Sequence, residues 1–438
     1  MFTKKQPLIA PRAERSDASG KMARAMRAQR VEIKEEQLRG VDVVDMLKGG
    51  AALFADGGAA ARNDPAGTFA LSQPVEELDY FVSHAWRSPR LAKWMALCCY
   101  FNLEAAIFAW LVTCLFCFLI GTLAFESMPD FFVLPPQPAV LDASSLRGLK
   151  TATICGPFVL TTVFFLGHRL FHRGERAFLD IACIDQLDVE SKAAGISSLG
   201  ALLDRSRRML VLLDEHNLTR MWCVFELAAF AKRGSIDRVE LVPLHLAMQM
   251  AALVLTNLAF ALINFIPEPG SPNIFSYLVE FLPMLAPPFL LLVHATWYSR
   301  ATSRSLERLR HFTLDDVECS SDVDRAAILE LIGKWFSDEQ DDAAVGLHNF
   351  ETFVRMDVYA KLERTLGSVG RFQWPPMLGL LFWCCTSGSW FFDEIPPPEI
   401  SMWHTLLALC QLVFNFVGTP IFGYVIHLTA GVVARAQE

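Results

Sequence analysis

One segment of the chain sets a carboxylate and an indole one helical turn apart. Residues 220–227 read RMWCVFEL, so Trp222 and Glu226 are four positions apart and share one face of a helix. A carboxylate can hydrogen-bond hydroxyl groups and offset developing positive charge, and an indole can pack beside a bound ring. A structural interpretation also stays open, because Glu226 can pair with Arg220 or Arg233.

Two more polar boxes precede this segment, and each ends an apolar run. Residues 81–84 read FVSH and place Ser83 near the end of a short strand candidate. Residues 178–180 read FLD and place Asp180 at the end of a second candidate, after which a polar loop runs to Gly195. Both boxes therefore put a polar side chain where an apolar strand finishes.

The elements that must position these boxes alternate between strand and helix. Strand-like runs cover residues 80–83, 177–183, 208–213 and 239–244, and helical patterns cover residues 87–97, 193–205 and 220–232. Alternation at these lengths indicates an α/β fold, with helices on the faces of a parallel sheet.

The composition indicates a membrane protein. Hydrophobic residues make up 53% and charged residues 20% of 438, against about 45–50% and about 25% in soluble proteins. A bilayer span needs roughly 20 apolar residues, with roughly 17 as the lower limit. Six uncharged runs meet this limit, at residues 105–125, 151–167, 246–266, 281–297, 372–392 and 400–433. We therefore predict about six transmembrane α-helices, and whether residues 400–433 form one kinked span stays open.

The distribution of charge predicts the orientation. Of the 39 Lys and Arg residues, only Arg147 and Lys150 fall in the predicted outer loops, as the positive-inside rule requires of a protein with both termini in the cytosol. The formal charge of −8 gives no reason to expect nucleic acid as a partner. We therefore predict an integral, multi-pass membrane protein in a membrane that the sequence does not specify.

The predicted domain order follows from these spans. We predict eight consecutive segments. They belong to an N-terminal helix and linker, an α/β domain in two pieces, three membrane hairpins, a cytosolic helical block and a short tail. In chain order they are 1–78 (helix and linker), 79–94 (first strand and helix), 95–167 (hairpin), 168–245 (rest of the α/β domain), 246–297 (hairpin), 298–371 (helical block), 372–433 (hairpin) and 434–438 (tail).

The three boxes in this order resemble the Toll/interleukin-1 receptor (TIR) domain, in the form common in protists. The shared patterns are FxSHxW, then LDxxCIDQ, then WCxxEL. The resemblance covers residues 79–94 and 176–244, under a quarter of the chain. It implies a flavodoxin-like parallel sheet, which the first membrane hairpin interrupts here.

The resemblance implies two uses for this domain, association with other domains in signalling or cleavage of NAD+. For cleavage it implies Glu226 as the catalytic residue and Ser83, Trp222, Asp180 and Gly195 as substrate-binding residues. NAD+ would be a substrate, and neither a cofactor nor a metal is implied. The expected partners are the lipid bilayer, further copies of the chain and other TIR-type proteins. A non-catalytic scaffold stays an alternative, and a transporter is less favoured because the six runs carry no charge.

Overall fold

The computed structural model describes residues 38–55, 58–123, 144–171, 174–185, 187, 199–214, 216–233, 236–263, 293, 297, 300–319, 321–337 and 342–366. The chain divides into two compact units, and each is described by itself. The sheet unit comprises Met1–Trp94, Arg173–Leu244 and Ser305–Thr365. The apolar-helix unit comprises Met95–His172, His245–Arg304 and Leu366–Glu438.

The strands of the sheet unit form one mixed sheet. They are β1 (Arg39–Asp42), β2 (Ser72–Pro74), β3 (Leu78–His84), β4 (Arg176–Phe178), β5 (Ser206–Leu213) and β6 (Val239–Pro243). Their order is β2-β1-β4-β3-β5-β6. The four strands from β4 to β6 are parallel, whereas β1 is antiparallel to both of its neighbours. The predicted α/β fold with a mostly parallel sheet is therefore confirmed.

The helices of both units carry one numbering in chain order. They are α1 (Val43–Ala51), α2 (Ala59–Asn63), α3 (Pro65–Ala70), α4 (Arg90–Leu123), α5 (Ser144–Leu170), α6 (Asp180–Cys183), α7 (Leu199–Asp204), α8 (Met221–Arg233), α9 (Leu244–Ile263), α10 (Asp322–Phe336), α11 (Ala343–Phe353) and α12 (Tyr359–Leu366).

Burial explains why the central strands form. The apolar ends of β3 and β5 are enclosed on both faces, as is usual for parallel strands covered by helices. Phe81 of β3 stacks on Phe178 of β4 with ring centroids 5.0 Å apart. These strands form the core beneath the polar residues that follow them.

Two sequence predictions need correction. Residues 49–67 are rich in Gly and Ala, which predicts a linker within the N-terminal segment 1–78, but α2 and α3 form there, and Leu53 and Phe54 are buried. The strand-like run at 177–183 ends at Phe178, because the Asp180 carboxylate accepts the Ile181 N–H at 2.8 Å as α6 begins. A short polar side chain thus ends a strand that its apolar pattern would have continued.

The helical block of the sheet unit packs on α8. Trp335 of α10 lies 5.5 Å from the ring of Phe225 on α8. The Glu318 carbonyl accepts the N–H of Met221, the first residue of α8, at 3.0 Å. The block therefore fixes the start of the helix that carries Trp222 and Glu226.

In the apolar-helix unit, α4 and α5 approach each other closely. A Cβ atom on Gly156 would lie 2.9 Å from Nε1 of Trp110, so only glycine fits there without a shift. Nearby, the Asn102 side chain donates to the Phe164 carbonyl at 2.8 Å. Small residues and a buried polar contact of this kind are typical of helices that pack in membranes.

Within the described part of the chain, one stretch, Arg90–Cys117, is long and apolar enough to cross a membrane. A shorter apolar helix covers Cys155–Leu170. The predicted spans at 372–392 and 400–433 lie outside the described residues, as does nearly all of 281–297. The structure therefore supports one candidate span, by length and composition, where the sequence predicts about six.

Candidate functional site

The order of the parallel strands indicates where a ligand would bind, beyond the carboxyl ends of β3 and β5. The chain moves from β3 to β4 on one side and then to β5 on the other, so the order reverses between β3 and β5. Ligands of open α/β sheets bind outside the carboxyl ends of the strands at such a reversal. Ser83 is paired in register with Val211 close to this edge. The first predicted site residue is therefore at the expected end of the sheet.

Glu226 combines accessibility with desolvation. Its side chain is half-buried on α8, so a ligand can reach it, yet the protein packed around it penalises the charged form. Burial raises the pKa of Glu226 to about 8; Asp180 adds to this rise and Ser83 opposes it. Glu226 forms no ion pair among the described side chains, and pairing with Arg220 is therefore not observed. The side chain of Arg233 lies outside the described set.

Asp180 lies beside Glu226 in different surroundings. One carboxylate oxygen accepts the Ile181 N–H at 2.8 Å, and the other accepts the Trp86 Nε1–H at 3.3 Å. Both bonds favour the ionised form of this half-buried carboxyl. The two carboxyl groups therefore differ, because Asp180 accepts two N–H bonds whereas Glu226 has the buried hydroxyl of Ser83 beside it.

Ser83 lies next to Glu226. Its side chain is buried and lies close enough to Glu226 and to Cys223 to favour their ionised forms. Its Oγ nevertheless has no partner at hydrogen-bond geometry within the described residues. Ser83 therefore lies buried in the wall of the site, next to Glu226.

More buried polar atoms without partners belong to residues that end or follow β3 and β5 in the chain. Among the residues that the structure describes, they include His84 Nε2, Ser88 Oγ, Lys93 Nζ and Asn217 Nδ2. Native proteins leave few such groups unsatisfied, and a cluster of them requires a reason such as a bound ligand or water. The polar floor, defined as Ser83, His84, Ser88, Lys93 and Asn217, is therefore part of the candidate site.

Aromatic rings and distant carboxylates support the buried ammonium of Lys93. Its Nζ lies 5.5 Å from the ring centroid of Trp86 and 5.8 Å from that of Phe54. Asp214 and Asp180 also act on it electrostatically. Cation–π contacts and these carboxylates offset part of the desolvation cost, but they supply no hydrogen-bond acceptor.

The histidine and the thiol of the site are uncharged. Burial lowers the pKa of His84 well below its usual value, and the charge of the nearby Lys93 lowers it further. Burial, followed by Glu226, raises the pKa of Cys223 well above its usual value, and its Sγ lies 3.5 Å from the His84 carbonyl. Because a thiolate is the nucleophile in cysteine chemistry, Cys223 is a structural residue here.

The structure brings together three of the five predicted site residues. Ser83 and Asp180 both act on Glu226 at the strand ends. Trp222 lies one turn before Glu226 on α8, half-buried, with its ring 5.8 Å from that of Phe225. Gly195 lies outside the described residues. Among the described residues, no group of three His, Cys, Asp or Glu side chains is arranged to hold a metal ion.

Sequence reasoning missed most of the polar floor. His84 and Trp86 belong to the FxSHxW pattern itself, so their positions were available as a signal. The sequence carried no such signal for Lys93 or Asn217, because a single lysine on an apolar helix and an asparagine in a turn are usually exposed.

Comparisons of the chain with protein-family models, curated proteins and solved structures found no match.

Proposed function

We propose that this protein is a membrane-anchored signalling protein whose TIR-like domain cleaves NAD+ with Glu226. The observation that carries the proposal is the surroundings of Glu226: a desolvated but reachable carboxyl, without an ion pair among the described residues, at the strand-order reversal. A cationic ligand supplies the positive partner that the Glu226 carboxylate does not have among the described residues. The pyridinium ring of NAD+ is such a cation.

The chemistry requires little beyond charge and placement. When the bond between ribose and nicotinamide breaks, its electron pair stays on the ring nitrogen and neutralises the pyridinium. Positive charge then develops on the ribose, and a carboxylate beside it stabilises that charge, as in glycoside cleavage. Water completes the reaction by adding to the ribose. In this proposal Glu226 stabilises the positive charge on the ribose, and Trp222 packs beside the nicotinamide ring.

The fold supports the TIR-like part of the proposal. If the four parallel strands are numbered 1 to 4 along the chain, their order across the sheet is 2-1-3-4. This is the start of the flavodoxin-like order 2-1-3-4-5. No fifth parallel strand follows β6 within the described residues, where the chain enters α9 directly after Pro243. The proposed TIR-like domain therefore lacks the fifth parallel strand of a complete flavodoxin-like sheet within the described residues.

Exposed apolar side chains support the membrane anchor. Only 33% of the most apolar window of Arg90–Cys117 is buried. Phe108 is 69% exposed and Phe116 60% exposed, whereas the core helix of a soluble protein would bury such residues. The proposal thus keeps the lipid bilayer as a partner, with a multi-pass topology and both termini in the cytosol. Further copies of the chain and other TIR-type proteins are the remaining proposed partners.

One observation favours the alternative of a non-catalytic scaffold. With a pKa of about 8, Glu226 is mostly protonated at neutral pH in the free protein and carries little charge. A protonated glutamate on a half-buried helix face can serve packing alone. The alternative predicts self-association that does not depend on Glu226.

NAD+ cleavage by the purified full-length protein tests the proposal. The wild type and Glu226→Gln are compared in lipid vesicles at high protein density, with Glu76→Gln at an exposed position as the matched control. We expect Glu226→Gln to lose at least about 100-fold in nicotinamide release, the usual effect of removing one electrostatic stabiliser. Self-association is measured on the same samples by cross-linking.

Two results would decide against catalysis. The first is no nicotinamide release from folded, clustered wild type. The second is equal release by wild type and Glu226→Gln. Self-association that persists in both proteins would then establish the scaffold.

A further inference from the structure

The helical block, which is the part Ser305–Thr365 of the sheet unit, forms a strand-like bridge to the segment that starts α8. The Glu318 N–H donates to the Thr219 carbonyl at 2.7 Å, and the Met221 N–H donates to the Glu318 carbonyl at 3.0 Å. The two bonds form an isolated parallel β-bridge. Because Met221 immediately precedes Trp222, the bridge fixes the backbone at the first turn of α8.

The segment that contains Glu318 is itself held by the helices of the block. The Arg325 guanidinium of α10 donates to the Val317 carbonyl and, at 2.9 Å, to the Leu314 carbonyl. The Leu314 N–H donates to the Glu351 carboxylate of α11 at 2.8 Å. Hydrogen bonds that involve a charged group are roughly twice as strong as neutral ones. The bridge therefore connects α8 to the packed helices of the block.

A second connection between the block and the site consists of aromatic rings. The ring centroid of Trp335 on α10 lies 5.5 Å from that of Phe225, and the Phe225 centroid lies 5.8 Å from that of Trp222. Phe225 is buried and immediately precedes Glu226 on α8. Aromatic pairs at such distances attract each other beyond the effect of burial alone. The rings therefore connect α10 to the part of α8 that carries Trp222 and Glu226.

We propose that the helical block positions the site, because Glu318 and Trp335 together fix the first two turns of α8. Trp222 and Glu226 lie on these turns. Glu318 and Trp335 act through α8 and need not touch a ligand, so they are positioning residues. The inference rests on the proposed function for its effect on NAD+ cleavage, whereas the placement of α8 is independent of what the site binds.

The proposal makes the site depend on a part of the chain outside the TIR-like region. That region covers residues 79–94 and 176–244. The block follows later in the chain, between His245–Arg304 and Leu366–Glu438 of the apolar-helix unit. A displacement of the block would change the placement of α8 without altering any residue of the three boxes. The block is therefore the element through which the site is regulated.

Hydrogen–deuterium exchange of the full-length protein in detergent tests the placement without any ligand. Trp335→Leu removes the ring beside Phe225 but keeps an apolar side chain. We expect the amides of residues 219–226 to exchange about three to ten times faster in this variant. Phe336→Leu is the matched control on the same helix, because the Phe336 ring contacts rings of α11, and it should leave these amides unchanged. Trp335→Phe keeps a ring and should restore slow exchange.

A backbone substitution tests the bridge separately. Glu318→Pro removes the N–H that donates to the Thr219 carbonyl, because proline has no backbone N–H. Glu318→Ala is its control, since it keeps this N–H and removes only the carboxylate. The contact of that carboxylate with Arg87, at 3.3 Å, is exposed and contributes little. We expect faster exchange of residues 219–226 in Glu318→Pro and no change in Glu318→Ala.

NAD+ cleavage by the same variants separates this inference from the proposed function. Trp335→Leu and Glu318→Pro should lose about tenfold or more in nicotinamide release, because small displacements of catalytic groups are costly, and Trp335→Phe should recover it. Faster exchange in the two variants supports the positioning even if the wild type releases no nicotinamide and the NAD+ proposal fails. Unchanged exchange in both variants, or equal exchange in Trp335→Leu and Phe336→Leu, overturns the positioning. Normal cleavage by a variant with faster exchange also overturns it.

Discussion

Buried polar side chains have different surroundings in the two units. In the apolar-helix unit, Asn102 on α4 donates to the Phe164 carbonyl on α5 and lies 3.1 Å from Nδ1 of His168. In the sheet unit, Ser88 and Lys93 have buried polar atoms without a partner among the described residues. Satisfied groups hold helices together, whereas unsatisfied groups lower stability and persist where function needs them.

The contrast is not complete, because Nε2 of His168 and Oγ1 of Thr161 also lack a partner within the described part of the chain. The other ring nitrogen of His168, however, is engaged by Asn102. In the sheet unit Ser83, His84 and Ser88 have unpartnered atoms at or just after the end of β3, where Ser83 lies beside a carboxyl whose pKa is raised. Convergence, more than the presence of a single unsatisfied atom, distinguishes the candidate site.

The largest effect is expected where the helices of the apolar-helix unit touch. Gly156→Leu would force a side chain against Trp110, at 2.9 Å from Nε1, and against Sγ of Cys114 at 3.1 Å. We expect a loss of about 3 kcal/mol in the free energy of unfolding, typical of overpacking. Thermal unfolding in detergent measures it. Val112→Leu, at an exposed position of α4, should have little effect, and equal loss in both variants would contradict the close contact.

A smaller loss is expected when the satisfied polar contact is removed. Asn102→Leu deletes the hydrogen bond between α4 and α5 and leaves Nδ1 of His168 without its partner. The cost should be about 2 kcal/mol in the free energy of unfolding. Asn63→Leu, an exposed position of the sheet unit, serves as the control. Stability retained in Asn102→Leu would show that this contact does not hold the helices.

Glu226→Gln should stabilise the protein at high pH. Because the folded state raises the pKa of Glu226 from 4.5 to about 8, it binds more protons than the unfolded state between these values. The contribution of Glu226 to stability is therefore present below about pH 4.5 and is lost as the pH rises through 8. Linkage between these two pKa values gives about 4 kcal/mol. Because Glu226 is only half-buried, solvent screening should reduce the gain at pH 9 relative to pH 5 to about 1 to 2 kcal/mol.

Thermal unfolding of wild type, Glu226→Gln and the exposed control Glu76→Gln at both pH values checks the sign. A stabilisation that does not grow with pH in Glu226→Gln would show that Glu226 ionises normally in the folded protein. It would also remove the main electrostatic difference between the two units.

The smallest effects compare two buried serines of the sheet unit. Oγ of Ser206 donates to the Leu202 carbonyl at 2.8 Å, whereas Oγ of Ser88 has no partner among the described residues. Ser206→Ala should cost about 1 kcal/mol in the free energy of unfolding, and Ser88→Ala should be neutral or stabilising. Thermal unfolding of the two variants sharpens the comparison. A larger loss in Ser88→Ala than in Ser206→Ala would place an ordered water or ligand at Ser88.

Much of the sheet was predictable because its strands are continuous apolar runs. The predicted strands at 80–83, 208–213 and 239–244 match β3, β5 and β6 to within a few residues. The antiparallel strands β1 and β2 were not predicted, since β1 has four residues and β2 three, including Pro74. Such short edge strands depend on pairing with distant residues, which leaves no periodic signal.

The candidate site was predictable only in part. The motif spacing placed Ser83, Asp180 and Glu226, and the structure brings these three together. It could not indicate Lys93, because burial of a lysine depends on the rings of Phe54 and Trp86 folding over it. The structural alternative in which Glu226 pairs with Arg220 is not observed among the described residues, and on a helix only residues three or four positions apart are neighbours.

The sequence by itself determined the strand and helix types of the α/β block and the apolar character of the helices between its pieces. Both follow from local patterns, since alternation and run length depend on neighbouring residues alone. Only the tertiary structure decided the charge states around Glu226. Burial and the orientation of Asp180, Trp86 and Lys93 are set by the packing of segments far apart in the chain, and the ionisation of a buried carboxyl depends on those surroundings.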